Sequence, residues 1–322
     1  MIKRIQVDRE NIMNKALKRS IKRTWLYSQY EHIRRLKVIK VINKLKKASQ
    51  EEQIKLINER YEISQGHALN WENPTLYTEK MQWEKLYNKD PMKVTLTDKY
   101  LVREWVKEKI GEEYLIPLIG VWYKFSDIPF KSLPSQFVLK TNHGTGTNII
   151  IKDKSKCNWR DAKRKIEDWM KMDFAYTNLF EMHYSQIDRK IIAEKYIESE
   201  TGDLQDYKFL CFGGVPKFCW VDLGRYTKHT RTVFDMSWQK QPWTQAKSTV
   251  DNIAKPKNFE KMVEIVTKLC EGFSQVRVDL YNVDGKIYFG EITFTNGSGF
   301  DRIIPAEYDK MLGDLWELPK QE

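Results

Sequence analysis

The sequence predicts an α+β body of two lobes preceded by a basic helical N-terminal segment, and three observations carry that prediction. Residues 11–60 contain neither Pro nor Gly, and Ile33, Leu36, Ile39, Ile42 and Leu45 recur every three residues among Lys and Arg, as in one or two basic amphipathic helices. Beyond Pro134 the texture changes to short runs rich in β-branched residues, separated by Gly-containing turns. Two helical stretches, 159–172 and 258–271, interrupt these runs, and strands then helix, twice over, is the order of an α+β body in two lobes.

Bulk properties narrow the class. A chain of 322 residues can bury a substantial core without metal or disulfides. Cys157, Cys211, Cys219 and Cys270 form no CxxC pair, which argues against a zinc site and against a secreted disulfide framework. No run approaches the roughly 18 apolar residues of a spanning helix, and residues 1–23 lack the apolar core of a signal peptide. The expectation is a cytoplasmic protein, soluble or peripheral at the inner membrane face. Net charge is +11, yet residues 1–60 hold 17 Lys or Arg against 6 Asp or Glu, so the remaining 38 basic and 38 acidic residues balance. The excess belongs to the appendage, and nucleic-acid binding by the body is not expected.

Four segments are expected: a basic helical appendage at 1–65, a helical region at 66–133, a lobe with a glycine-rich phosphate loop at 134–198, and a lobe with a metal-binding hairpin at 199–322. The appendage reads either as a solvated helix packing one stripe on the body or as a surface for anionic membrane or acidic glycan. Trp25, Tyr27 and Tyr30 beside Arg23 and Arg34 suit a membrane interface. In the second segment, helices are expected at 77–87 and 97–110, the latter capped by Thr97 or Asp98 and closed by Gly111.

Four constellations carry chemistry. In FVLKTNHGTGTNIII, residues 137–151, two apolar strands flank a turn with Gly144 and Gly146 among Thr141, Thr145 and Thr147. Glycine lets backbone amides approach phosphate oxygens, threonine hydroxyls add donors, and Lys140 leaves the strand within reach of the same oxygens; an ordinary glycine hairpin has the same local pattern. The turn is neither a Walker A loop nor a GxGxxG helix opening. In IIAEKYIE, residues 191–198, an apolar strand turns polar at Glu194 and Lys195, where backbone groups could meet a base edge while Ile197 packs on its face.

The third is QVRVDLYNVDGKIYFGEITFTNGSG, residues 275–299, where Val276, Val278 and Leu280 alternate with Arg277, Asp279 and Tyr281. A three-residue loop of Val283, Asp284 and Gly285 would set Arg277 opposite Glu291 and Asp279 diagonal to it on one face, whereas a two-residue Asp284-Gly285 loop would send the carboxylates to opposite faces. Two acids on one face favour a shared Mg²⁺, or else a structural ion pair with Arg277. The fourth, GRYTKHTR at 224–231, gathers Arg225, Lys228, His229 and Arg231 as a clamp for a carboxylate or phosphate, or as a solvated basic loop.

In order along the chain, a lysine with a glycine loop, an adenine-type strand end, and Asp and Glu on a late hairpin resemble the ATP-grasp superfamily. More closely, EKMQWEKLYNKDP, LTDKYLVREWVKEKIGEEYLIPLIGVW, LPSQFVLKTNHGTGTNIII, DYKFLCFGG and the final hairpin resemble the TupA-like ATP-grasp family, named after the teichuronopeptide biosynthesis protein, over residues 66–315. The resemblance implies the ATP-grasp fold, two α/β lobes whose antiparallel sheets sandwich ATP. It implies that Lys140 holds the nucleotide phosphates beneath a closing loop at Gly144, Thr145, Gly146 and Thr147, with His143 beside it. Glu194, Lys195 and Ile197 look like the adenine hinge, Lys99 like a second nucleotide lysine, and Asp206 with Lys208 like the ribose end. Asp279 and Glu291 look like magnesium ligands, and Arg277 like the basic group at the transferred phosphate. Many such ligases carry Asn two residues after the metal-binding Glu; here Thr293 holds that place and Asn296 is the nearest Asn.

The implied reaction is ATP-dependent activation of a carboxylate as an acylphosphate, captured by an amine, with Lys140, Arg277 and Arg231 in catalytic roles. A uronic acid of a cell-surface polysaccharide or its precursor is the implied carboxylate. Alternatives are a glycan kinase, a glycosyltransferase, and a non-catalytic scaffold gripping an acidic polymer.

Overall fold

The computed structural model describes residues 25–198, 204–224 and 229–319. Two helices, α1 (Trp25–Leu45) and α2 (Gln50–Gln65), precede α3 (Tyr77–Tyr87), α4 (Met92–Thr97) and α5 (Val102–Ile110). A four-stranded antiparallel sheet follows, β1 (Leu118–Trp122), β2 (Phe137–Thr141), β3 (Asn148–Ile151) and β4 (Ile191–Lys195), in the order β1-β4-β2-β3. Helix α6 (Trp159–Lys171) covers one face of it: Phe137, Leu139, Ile191 and Ala193 alternate inward along their strands and meet Ala162 and Ile166.

The second sheet has five antiparallel strands, β5 (Asp206–Phe212), β6 (Val215–Leu223), β7 (Thr230–Asp235), β9 (Gln275–Val283) and β10 (Lys286–Thr293), ordered β10-β9-β5-β6-β7. Short β8 (Thr244–Gln245) pairs with β11 (Ile303–Ile304), and α7 (Phe259–Cys270) and α8 (Glu307–Asp314) complete the elements. Phe209, Val276, Val278 and Leu280 point to one face, where Phe259, Met262, Ile265 and Val266 of α7 bury them. The opposite face is divided. Leu210, Phe212, Phe218 and Trp220 lie beneath Tyr77 and Met81 of α3 together with Leu312 and Trp316, whereas Asp206, Lys208, Asp222 and Asp279 occupy its other end. This α+β arrangement of two lobes with antiparallel sheets is the fold class the sequence predicts.

Three details differ from expectation. The helix expected at 97–110 begins only at Val102, and a short helix, α4, precedes it, because the Asp98 carboxylate accepts from the backbone amides of Tyr100 (2.7 Å) and Leu101 (3.2 Å), offering the chain a turn in place of a helical step. The three-residue stripe of α1 is not its buried face: Ile42 is buried, but Ile33 is 51% and Leu36 38% exposed, since a helix repeats every 3.6 residues rather than three. The helix docks on α6 through Val38, Ile39 and Ile42, which cluster with Trp169 and Phe174, and through polar partners, with His32 Nδ1 and Arg35 Nε each 2.7 Å from Asp168 and Ser28 bonded to Asp161.

The third difference is the hairpin register. Lys286 pairs with Val283, so the loop is the two residues Asp284 and Gly285, both with positive φ (52° and 90°), which suits a twisted two-residue turn. That register alone would separate the acids. A bulge between Phe289 and Glu291 restores them, because Phe289 pairs with Leu280 but Glu291 pairs with Asp279, leaving Gly290 as the extra residue. A side chain at Gly290 would meet the Asp279 carbonyl oxygen at 2.9 Å, so glycine permits the close approach.

Candidate active site

A cavity of about 760 Å³ opens between the two sheets, and both hairpins face it. On the first sheet Lys140 stands at the end of β2, opposite Asn148, and the turn between them brings Thr145, Gly146 and Thr147 to the cavity. Gly146 has φ +68°, a left-handed turn position where glycine is unstrained, and a side chain on Gly144 would strike the Phe174 ring at 2.6 Å. The Lys140 ammonium contacts the Glu194 carboxylate, which also lies 3.4 Å from Arg103. Lys99, in the turn between α4 and α5, also lines the cavity and donates to the Gly144 carbonyl of the glycine turn, and burial pushes its ammonium below the usual lysine range.

The second wall is built from rows of side chains crossing the sheet. One row runs Glu291, Asp279, Lys208, Trp220; the next runs Tyr281, Asp206, Asp222, Arg231. Alternation puts every member of a row on the same face, and the charges answer one another. Arg277 donates from Nε and Nη2 to the two oxygens of Asp279 (2.7 and 2.8 Å) and from Nη2 to Glu291 (2.8 Å). Lys208 contacts Asp279 and lies 2.7 Å from Asp206. Burial opposes ionisation of Asp279, yet Arg277 and Lys208 outweigh it and hold the carboxyl well below the usual carboxylate range. Burial likewise works against the Arg277 charge, and the two acids more than restore it.

Arg231 forms a fork with Asp222 (2.7 and 2.8 Å) above the Trp220 ring, and His229 Nε2 lies 3.3 Å from the same carboxylate. Arg225 and Lys228, expected in the same loop, lie outside the described residues.

Other expected site residues stand away from the cavity wall. His143 is buried beneath the turn, with Nε2 3.2 Å from the Trp169 carbonyl and its ring against Phe174; burial pushes it down to about 4, so it is neutral at ordinary pH. Lys195 is exposed and Ile197 half-buried at the end of β4. Asn296 is buried, its side-chain oxygen accepting from Arg277 and its amide donating to Gln245 (2.6 Å).

Tyr281 lines the cavity on the face that alternation gives it with Arg277 and Asp279; Arg103, Asp222 and Gly290 also line it and were not foreseen. Asp222 carried a readable signal, since it alternates with Trp220 at a strand end. Arg103 carried none, being one of several basic residues on an amphipathic helix.

Asp279 and Glu291 present carboxylate oxygens side by side at the cavity, a donor set suited to Mg²⁺, which takes one or two carboxylates and completes its shell from phosphate and water. Among the described residues no group of three or more His, Cys, Asp or Glu is gathered to hold an ion unaided.

Two facing sheets, a glycine turn over a strand lysine, and an acidic hairpin opposite define the ATP-grasp fold. The TupA-like ATP-grasp family matches residues 79–317, and the chain belongs to that family. Similar solved structures include D-alanine–D-alanine ligase from Bacillus anthracis complexed with ATP (16% identity, 62% of this chain and 55% of that chain, TM-score 0.38). N5-carboxyaminoimidazole synthetase from Staphylococcus aureus complexed with ADP (15%, 70% and 53%, 0.35) and phosphoribosylamine–glycine ligase from Thermotoga maritima (12%, 63% and 48%, 0.38) are also similar. The chain spans little more than half the length of the first of these. No curated protein matches it.

Proposed function

We propose that the protein is an ATP-dependent ligase that joins a carboxylate to an amine through an acylphosphate, acting on a uronic acid of a cell-surface polysaccharide or its precursor. The observation that carries this reading is the facing of Lys140 and the Thr145–Gly146–Thr147 turn by Arg277, Asp279 and Glu291 across one cavity. Family membership supports ATP as the nucleotide.

On this reading Lys140, Lys99 and the turn amides bind the triphosphate, and Asp279 and Glu291 hold Mg²⁺, which when bound screens the phosphate charge. Arg277, already aligned by both acids, orients the transferred phosphoryl group and stabilises the charge that develops there. Arg231, gripped by Asp222, and His229 meet the acceptor carboxylate, together with Arg225 and Lys228. Closure of the turn keeps water from the acylphosphate. The four segments bounded at residues 65, 133 and 198 act as appendage, helical base and two nucleotide-binding lobes.

Calorimetry of ATP binding, with and without magnesium, tests this in the wild type and in Asp279→Ala and Glu291→Ala. Magnesium-dependent binding that weakens in both variants is expected. Absence of ATP binding overturns the proposal.

We also propose that α1 docks on an anionic membrane surface. Exposed Tyr30, Ile33 and Leu36 stand among exposed Arg34, Lys37, Lys40 and Lys44, the mixture that inserts rings and methyls between headgroups while cations meet phosphate. No helix among the described residues is long and apolar enough to cross a membrane. Co-sedimentation of the full chain with phosphatidylglycerol vesicles, lost in K37E/K40E/K44E, is the expected result; equal binding by that variant removes the docking surface.

A further inference from the structure

Beside the large cavity lies a second chamber of about 190 Å³ that shares Lys99, Thr145, Arg277 and Glu291 with it. The two therefore meet where the glycine turn approaches the acidic hairpin, at the point where a phosphoryl group would pass to an acceptor. Apart from Gly144 and Thr293, the remaining wall comes from elements outside both hairpins, chiefly Thr177, Asn178, Glu181 and Tyr184 from the segment before β4, and Thr295 and Ser298 from the turn after β10. Both wall segments hold left-handed backbone at residues with side chains, Leu179 (φ 62°) and Phe180 (φ 73°) in one and Ser298 (φ 52°) in the other. Such conformations persist only where surrounding packing enforces them, and they gather at functional sites.

The chemistry of the lining is specific. Hydroxyls are the commonest groups; Lys99, Arg277 and Glu291 stand where the chamber meets the larger cavity, and a second carboxylate, Glu181, is buried among the hydroxyls. Its oxygens accept from the Thr295 hydroxyl and from Asn178 Nδ2 (3.2 Å), which uses two of roughly four acceptor sites of a carboxylate. Lys85, the nearby cation, is itself occupied by the carbonyl and hydroxyl of Ser298 (3.1 Å each). Burial pushes the Glu181 carboxyl upward, which makes it a better proton acceptor than an exposed acid. In volume the chamber matches roughly six water molecules at ~30 Å³ each, room for one small molecule and not for a sugar polymer.

We propose that this chamber seats the amine co-substrate, a small primary amine carrying a hydroxyl or carboxyl group, with Glu181 receiving its ammonium. The assignment rests on the ligase reading above. Glu181 takes one proton from the ammonium; the amine nitrogen then bonds to the acyl carbon of the acylphosphate, the bond from that carbon to the phosphate oxygen breaks, and the departing phosphate takes the second proton.

The test pairs E181Q with T177F, which fills the chamber from another wall. Glucuronate, galacturonate and their UDP derivatives serve as carboxylate probes, and the standard amino acids and ethanolamine as amine probes. Hydroxylamine, uncharged at neutral pH, traps acylphosphate as a hydroxamate without needing Glu181. Expected are wild-type hydroxamate formation, faster ADP release with one class of amine, and a rise of about tenfold or more in the KM for that amine in both variants, with the KM for ATP unchanged. Retained ATP binding in each variant verifies its folding. An unchanged amine KM in both variants overturns the assignment, as does wild-type hydroxamate formation with no amine accelerating ADP release. Absence of hydroxamate from the wild type with every carboxylate overturns the ligase reading itself.

Discussion

The two walls of the large cavity are made differently. On the acidic-hairpin wall the side chains of Lys208, Arg277 and Asp279 are 4%, 8% and 2% exposed, and each ion has its partners within the sheet. On the glycine-turn wall Lys140 is 22% exposed, Thr145 and Gly146 are exposed, and β3 is the edge strand of its sheet. One wall is preorganised by charge pairing in a dry setting; the other is a hairpin free to adapt. On the proposed ligase reading, the site must both orient a phosphoryl group and admit a nucleotide, and these two qualities are divided between two sheets. Substitutions should therefore separate them, with stability failing first on one side and binding on the other.

The largest effect belongs to Asp279→Ala. Removing this carboxylate takes from buried Arg277 and Lys208 the acid they share and leaves each with a single acidic partner, Glu291 and Asp206, which destabilises by about 3 kcal/mol and should appear as a lower midpoint in urea unfolding. The pH dependence has a definite sign. The Asp279 carboxyl is held below its unfolded value of about 4, so its contribution is complete above that pH and is lost as pH falls through the folded value. Wild type should lose more stability on acidification below about pH 4 than Asp279→Asn does. Equal losses in both would show that the pair does not stabilise this wall.

Gly290→Val comes next. The new side chain meets the Asp279 carbonyl oxygen, so the bulge must shift and carry Glu291 with it; overpacking of this kind costs about 1–3 kcal/mol. Position along this one hairpin decides the outcome. ATP affinity should fall together with stability at Gly290, whereas a β-branched residue at Gly285, whose surroundings are open, should strain only the turn. Unfolding midpoints and ATP titrations of both variants check this.

The same glycine marks where reading the sequence ends. Alternation along β9 put Arg277 and Asp279 on one face, and the β-rich runs with their glycine turns predicted two sheeted lobes, because strand period and turn chemistry are local properties. The register of the hairpin is not local. Asp284-Gly285 is a good two-residue turn, and the extra residue after Phe289 shows only in the pairing across the strands, where the backbone of Asp279 leaves room for nothing larger than glycine at 290. Arg103 joins the cavity for the same reason: its partner, Glu194, lies on another element, and no pattern within one element encodes such a pairing. Asp98 is an intermediate case. It was readable as a cap, but the turn it makes, which delays the helix to Val102 and aims Lys99 at Gly144, also uses Asn142, which donates to its second oxygen at 2.8 Å.

On the glycine-turn wall the effects on stability are smaller. At Gly146→Ala nothing lies within 4 Å of the added methyl, so only the left-handed backbone resists it, by about 1 kcal/mol. A larger loss would mean that the turn is packed rather than free.

Lys140→Met is the smallest perturbation of the fold and the sharpest test of the contrast. The lysine stem is retained in length, and Glu194 keeps Arg103 at 3.4 Å as a partner, so unfolding should shift by no more than about 1 kcal/mol. If the acidic wall supplies order and the turn wall supplies grip, ATP affinity should nevertheless fall by about tenfold or more, the weight of one charged hydrogen bond to phosphate. Calorimetry beside urea unfolding measures both on one sample. A variant that unfolds like the wild type and binds ATP like the wild type would leave the phosphate contacts to Lys99 and the turn amides, and the division between the walls would have to be redrawn around Lys99, which is anchored to the turn by the Gly144 carbonyl.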